Sequence, residues 1–283
     1  MKNVPESIKS RLLNLSREKK RPFIEILQYY VIERFLFRLS ISKYRNKFIL
    51  KGALMLVYWG GINQRPTKDI DMLGITNHDV NSVINIIRDI LGQEVEPDGV
   101  SFKLNTVTGE IINEEADYSG VRIRIGSKIS TAKVNLQIDI GFDDIIFPKS
   151  QNIQFPTLLK GSNVPKMKGY SRESLIAEKF ETIVKLNVFN SRMKDFWDIW
   201  FISSNFDFNK TYLAKAIQAT FNKRNTKLSD SRSIFSKEFA ENEQKEIQWR
   251  AFLNKNKMEI GPESFKGVVE QLKIFLSPII NSI

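Results

Sequence analysis

The sequence predicts an α+β chain: a mixed α/β part over residues 1–165, then a helical part over residues 166–283. Three observations predict it. Apolar residues recur at helical spacing over residues 5–40. Two runs, 121–125 and 134–140, alternate apolar and polar residues with period two. From Ser171 the pattern is helical to the end. The chain has 283 residues, which agrees with one large domain or two ordinary ones. With 42% hydrophobic and 27% charged residues it is globular in composition and can bury most of its apolar surface without cross-links.

In chain order, Pro5 opens a first helix, and Ile8, Leu12, Leu13 and Leu15 form its apolar stripe. The run 17–22 (Arg-Glu-Lys-Lys-Arg-Pro) ends it. A second helix over 22–40 carries Phe23, Ile26, Leu27, Tyr30, Val31, Arg34, Phe35 and Leu39. Residues 47–59 are apolar and lead into Gly60-Gly61. Gly52 lies inside that helix-like run, where glycine costs about 1 kcal/mol relative to alanine. Close approach of the backbone to phosphates would explain it, and so would helix–helix packing. A short strand over 69–73 and a helix over 77–91 follow, with Asn77 as its cap. The two alternating runs flank a Gly/Ser/Thr-containing segment and read as a β-hairpin. Pro148, Pro156 and Pro165, with Gly161 and Gly169, mark an irregular connection. Ser171 and Ser174 are N-cap candidates for the next helix, with Glu173 in its first turn.

Composition narrows the chemistry. The absence of cysteine excludes disulfides, thiolate metal sites and a cysteine nucleophile. A single histidine, His78, excludes any site that needs two imidazoles. Carboxylates, lysines and a metal held by oxygen remain. No apolar run approaches the roughly 18 residues of a membrane span, and the N-terminus lacks a signal-peptide pattern. The expectation is a cytoplasmic protein with no membrane contact. Net charge is +11 and unevenly placed. Twelve basic and 4 acidic residues give 1–50 a charge of +8; 10 and 14 give 51–150 a charge of −4; 21 and 14 give 151–283 a charge of +7. Basic flanks favour a polyanion such as RNA or DNA, or form a solvated lysine-rich surface with no partner.

The segment Arg65-Pro-Thr-Lys-Asp-Ile-Asp71 is the most informative. On a strand, Asp69 and Asp71 project to one face. Two carboxylates so placed repel unless a cation sits between them, and Mg²⁺ takes oxygen ligands. Asp139, in the second alternating run, faces away from Ile138 and Ile140 and joins the polar side of its strand. Three acids on neighbouring strands can hold metal ions that activate a hydroxyl and steady a leaving phosphate. An Asp-x-Asp pair is also common at strand ends with no such role.

A second polar set lies on the later helices. Lys179 sits in an otherwise amphipathic stretch. Asp195 and Asp198 share a helix face, with Arg192 three before the first and Lys194 four before the second. From spacing alone these form an ion-pair ladder on a solvated face. Phe196, Trp197 and Trp200 read as core rather than base-stacking platforms. Lys223, Arg224, Lys227 and Arg232 are a solvated loop or an RNA contact. His78 reads as a surface residue at a helix start.

Taken together, Gly52, the Arg65-x-Thr67-x-Asp69-Ile-Asp71 strand and Asp139 resemble the nucleotidyltransferase superfamily signature. The particular version resembles the AbiEii/AbiGii toxin family, whose members include the MenT toxins. Three stretches match in order: Lys51-Gly-Ala-Leu through Thr67-Lys-Asp-Ile-Asp71, Leu136-Gln-Ile-Asp-Ile-Gly-Phe142, and Ala177-Glu-Lys-Phe through Asn190-Ser-Arg-Met-Lys-Asp-Phe-Trp-Asp198. With the turn at 155–158 they cover roughly residues 48–200. One position departs: the second small residue is Ala53, which keeps the amide and the small volume but offers no hydroxyl.

The resemblance implies a mixed β-sheet nucleotidyltransferase domain with flanking helices and a C-terminal helical domain that contributes Lys179 and Asp195. It implies transfer of a nucleotide from a nucleoside triphosphate to an acceptor hydroxyl with Mg²⁺ or Mn²⁺. Asp69, Asp71 and Asp139 would hold metal, and Asp139 would help deprotonate the acceptor. Lys179 would contact the triphosphate, and Asp195 would orient Lys179 or a base contact. Gly52, Ala53, Arg65 and Thr67 would bind nucleotide phosphates, with Arg192 and Lys194 as further contacts. The implied partners are a cognate antitoxin, often a winged-helix repressor resembling AbiEi, and transfer RNA or another RNA, with addition at the tRNA 3′ end blocking translation. Two other classes compete: a nucleotidyltransferase acting on a protein or small molecule, and a non-catalytic nucleic-acid-binding module.

Overall fold

The computed structural model describes residues 3–61, 65–114, 118–258 and 260–283. It is a mixed α+β structure built as two compact units. The first comprises residues 1–143 and 151–169; the second comprises 144–150 and 170–283. The sequence placed the boundary at 165/166 and kept 144–150 with the first part. The structure gives that short segment to the second unit.

The first unit runs α1 (Val4–Glu18), α2 (Phe23–Ile41), β1 (Phe48–Lys51), α3 (Ala53–Gly60), β2 (Asp69–Gly74), α4 (Val80–Leu91), β3 (Val100–Phe102), β4 (Thr108–Glu114), β5 (Tyr118–Ile129), β6 (Ala132–Phe142), β7 (Gln151–Gln154) and β8 (Lys166–Gly169). The strands form one sheet in the order β3-β5-β6-β2-β1-β8-β7, with β4 pairing β5 further along the same edge as β3. The expected hairpin is β5–β6, antiparallel with Ile123 opposite Ile138. The supposed irregular connection after it contains two strands, because β8 pairs parallel to β1 and gives its edge a partner. Four-residue strands next to prolines carry too little alternation to announce themselves.

Period two sets the two faces of the sheet. Val121, Ile123 and Ile125 of β5 and Leu136, Ile138 and Ile140 of β6 are buried. Val80 and Ile84 of α4 lie over Ile123 and Gly109 on that side. Helix α2 is apolar nearly all round, and most of its residues are buried, as such a helix must be. It also buries charge. The Glu33 carboxylate accepts from Arg34 and from the Leu158 amide (2.6 Å), and Arg34 donates to the Asn163 carbonyl (2.8 Å). Arg38 grips Asp98 with both terminal guanidinium nitrogens (2.6 and 3.3 Å).

Helix α4 begins later than expected. Asp79, not Asn77, is its cap, accepting from the Ser82 amide at 2.8 Å. Asn77 accepts from the Asp79 amide at 3.0 Å and so shapes the turn before the cap. His78 is half-exposed and stacks on Phe142.

The second unit is helical: α5 (Arg172–Leu186), α6 (Met193–Asn205), α7 (Lys210–Lys223), α8 (Ser231–Ile234), α9 (Lys237–Ala240), α10 (Glu243–Asn256) and α11 (Phe265–Ile280). Ser171 caps α5, accepting from the Ser174 amide. Phe196 and Trp197 are buried and Trp200 half-buried, in an aromatic core with Phe201, Phe239, Trp249 and Phe265. These rings are packing, as their helical spacing predicted. Arg224 is also structural: it binds Asp144 (2.9 Å) and the buried Glu181 (3.0 Å).

Candidate active site

The sequence around Gly52 folds differently from a helix. Strand β1 ends at Lys51, Gly52 turns the chain at φ +67°, and α3 starts at Ala53. A β-carbon on Gly52 would lie 2.0 Å from Asp71 Oδ2 and 2.7 Å from its carboxyl carbon. Glycine is therefore required twice over, by its backbone conformation and by the carboxylate pressed against it. The group that approaches Gly52 is a side chain of the protein itself, which neither sequence explanation had named.

Register lines up four charged residues across the sheet. Lys51 of β1 is opposite Asp71 of β2; Asp71 is level with Asp139 of β6; Asp139 is opposite Arg122 of β5. Paired positions share a face, so the row reads plus, minus, minus, plus. Asp69 stands two residues along β2, level with Gln137. The inner acids are adjacent, which is unfavourable unless cations flank them. Lys51 is buried at 6% exposure. Arg122 forms a two-pronged ion pair with Asp139, Nε to Oδ1 and an Nη to Oδ2, both 2.8 Å. Those bonds push the guanidinium above its ordinary value. Gln137 adds a 3.2 Å bond to Oδ2.

Ala53 is buried at the first position of α3, and Arg65 is buried ahead of β2. Thr67 donates its amide to Tyr29 Oη (3.3 Å), whose hydroxyl burial pushes up to about 12.

The helical set does not form a solvated ladder. Asp195 and Asp198 are fully buried, and Lys179 of α5 reaches across to both, at 2.8 and 2.6 Å. Arg192, at the start of α6, binds the other oxygen of Asp195 at 2.7 Å. Burial alone would raise the Asp195 carboxyl. The charges of Lys179, Arg192 and Lys194 reverse that and hold it well below the usual carboxylate range. Spacing could not show this, because the i, i+3 pattern is the same on a wet or a dry face. The two sets belong to different units of the chain.

Asp69 and Asp71 fit a hard divalent cation: two carboxylates on one strand face, oxygen donors only. Asp139 differs, since both its oxygens are taken by Arg122. Among the described residues no three acidic or imidazole groups are gathered as a ready metal cluster. An open groove of about 930 Å³, lined by Lys43, Arg45 and Lys166 among others, includes none of these residues. Lys51 and Arg122 are the two site neighbours that sequence reading missed. The signal for Arg122 was present in the alternating run paired with Asp139.

The family model for the nucleotidyl transferase AbiEii toxin, type IV TA system, matches residues 34–271. The chain belongs to the AbiEii family. It is thus a member of a nucleotidyltransferase toxin family of type IV toxin–antitoxin systems. The match spans both units and includes every residue of the two polar sets. Two solved structures from Helicobacter pylori share the AbiEii chain's fold. JHP933 has 13% identity and a TM-score of 0.50, covering 91% of this chain and 92% of its own. A protein provisionally assigned as a nucleotidyltransferase has 12% identity and a TM-score of 0.50, covering 91% and 95%. No curated protein matches the sequence. No helix among the described residues is long and apolar enough to cross a membrane.

Proposed function

We propose that this AbiEii chain transfers a nucleoside monophosphate from a nucleoside triphosphate to an acceptor hydroxyl at the 3′ end of transfer RNA. The reaction is Mg²⁺- or Mn²⁺-dependent, blocks translation, and is restrained by a cognate antitoxin, of which a winged-helix repressor is one form. The observation that carries the reading is the charged row Lys51–Asp71–Asp139–Arg122 with Gly52 closed against Asp71, in a chain of this family.

Roles follow from position. Asp69 and Asp71 would hold the divalent cation. Such a cation supplies Lewis acidity toward the triphosphate and makes the acceptor hydroxyl easier to ionise. Asp139 completes the site and helps deprotonate the acceptor, and Arg122 fixes the direction of its carboxylate. The acceptor oxygen forms a bond to the α-phosphorus while the bond to the pyrophosphate leaving group breaks. Gly52 and Ala53 present the first amides of α3 to phosphate oxygens. Arg65 and Thr67 shape the approach to the acid pair. Lys179, oriented by Asp195 and Asp198, and the outlying Arg192 and Lys194 offset triphosphate charge. The basic N-terminal and C-terminal regions suit a polyanionic acceptor, and binding through them weakens steeply with salt.

The test is a labelling reaction: protein, Mg²⁺, each labelled triphosphate in turn, and total transfer RNA, beside Asp71→Ala. Label in RNA with the unaltered chain alone is the expected result. Label in protein or in small molecules would replace the acceptor, and activity undiminished in Asp71→Ala would remove the reading.

A further inference from the structure

The segment between α5 and α6 displays an aromatic ring to solvent. Phe189 is 89% exposed, the most exposed large apolar side chain among the described residues, and its neighbour Val188 is 58% exposed. A single exposed apolar residue needs no explanation; what holds this one does. It ends a 3-10 turn, Asn187–Phe189, whose first residue has φ +44° and ψ −124°, a conformation that favours glycine. Asn187 is held there by its side-chain bond to Ser233 (2.8 Å) and by the Asn190 amide bonding back to its carbonyl (3.0 Å).

Beneath the turn lies Lys245 of α10, only 3% exposed. Its ammonium donates to the Val188 carbonyl (2.7 Å) and to the Asn190 carbonyl, the two that flank Phe189. Burial pulls that ammonium below its ordinary value. The Asn190 Nδ2 is buried with no hydrogen-bond partner among the described residues, a further cost of this geometry. A strained residue, a buried cation and an orphaned amide together keep one ring outside. Charge along this stretch of chain has a single sign: residues 185–194 contain Lys185, Arg192 and Lys194 and no acid. Arg192 and Lys194 are exposed.

We propose that Phe189 is a stacking platform for an unpaired nucleobase of a single-stranded RNA segment, on a basic stretch of the chain that suits the strand's phosphates. A flat apolar ring flanked by cations is the chemistry that single strands offer to: every base has a π-face, and every linkage a negative charge. A duplex hides its base faces and gains only the charge. The proposal rests on the reading that the acceptor is RNA, and it assigns Phe189 to holding that RNA rather than to the transfer step.

The experiment uses the full chain with a short end-labelled single-stranded RNA and the same sequence as a duplex, at fixed salt. Phe189→Ala should weaken the single strand on the order of tenfold and leave the duplex unchanged. Phe189→Trp should keep the affinity and add an exposed indole whose emission the single strand quenches. In transfer assays Phe189→Ala should raise KM for RNA with kcat retained. Unchanged single-strand affinity in Phe189→Ala, equal loss for duplex, or an indole blind to RNA would each overturn the proposal. So would a Phe189→Ala loss seen only in antitoxin binding, which would make the ring a protein contact. Should the unaltered chain transfer nothing to RNA yet lose single-strand binding in Phe189→Ala, the platform stands and the acceptor assignment falls.

Discussion

Arg122 grips Asp139 with two parallel 2.8 Å bonds, so the acid nearest Asp71 across the sheet is already paired. Two carboxylates can then sit side by side at a small electrostatic cost. Replacing Arg122 by lysine keeps a charge but loses the fork. We expect Arg122→Lys to lower transfer about tenfold and Arg122→Ala by about a hundredfold, the latter at the lower end of what removal of a single preorganised donor produces. Single-turnover labelling measures both; equal, unimpaired rates would show that the fork does not serve the reaction.

Gly52 and Asp71 compete for one space. Gly52→Ala should destabilise the chain by about 1–3 kcal/mol, from the positive φ and the clash together. The double variant Gly52→Ala/Asp71→Ala should recover part of that loss, because removing the carboxylate removes the two nearest of the three closest atoms. Denaturant midpoints for the four chains of this cycle measure the coupling; strict additivity would mean the clash is relieved elsewhere.

Lys179→Met leaves Asp195 and Asp198 buried without their shared cation. The expected cost is about 3–5 kcal/mol. The pH dependence has a definite sign. Because the folded chain holds the Asp195 carboxyl below its ordinary value of 3.8, its stabilisation is present above that value and is lost as pH falls beneath it. Acid unfolding of Asp195→Asn should therefore be shallower than that of the unaltered chain.

Glu33 behaves in the opposite sense. Burial pushes its carboxyl from 4.5 up to about 7, against the opposing pull of Arg34 and the Leu158 amide. The folded chain keeps this proton to a higher pH than the unfolded chain does. Stability should fall as pH rises from about 4.5 to about 7, and Glu33→Gln should flatten that slope. Urea midpoints across this range, compared between the two chains, test it; parallel curves would show that Glu33 ionises normally.

Much of this was legible in the residues. Long periodic segments such as those of α2 and α5 declare themselves, and the β5–β6 hairpin follows from alternation. The acid-x-acid strand could be placed on one face from the alternation of a strand alone. What the pattern hides is pairing between distant segments. Nothing local tells Lys51 that Asp71 lies opposite, or that Gly52 must yield to that carboxylate. Asp195 and Asp198 look solvated because burial depends on which helix comes to cover them. The strands β7 and β8 are too short for a period to emerge, and Asp79 outcompetes Asn77 as cap by backbone geometry that both residues equally permit.

The parallel pairing of β1 with β8 also sets a timetable. During synthesis β1 emerges with Lys51, but its second neighbour follows more than a hundred residues later, after the hairpin and after the 144–150 segment has passed to the other unit. Until then β1 has an open edge, the kind of surface that invites wrong strand pairing. The chain also crosses between units three times, so no single cut separates them. A ribosome stalled or a protease acting before residue 169 would leave a sheet with its charged row laid out but one side unsealed, and a nascent toxin of this kind stays unfinished until most of it has been made.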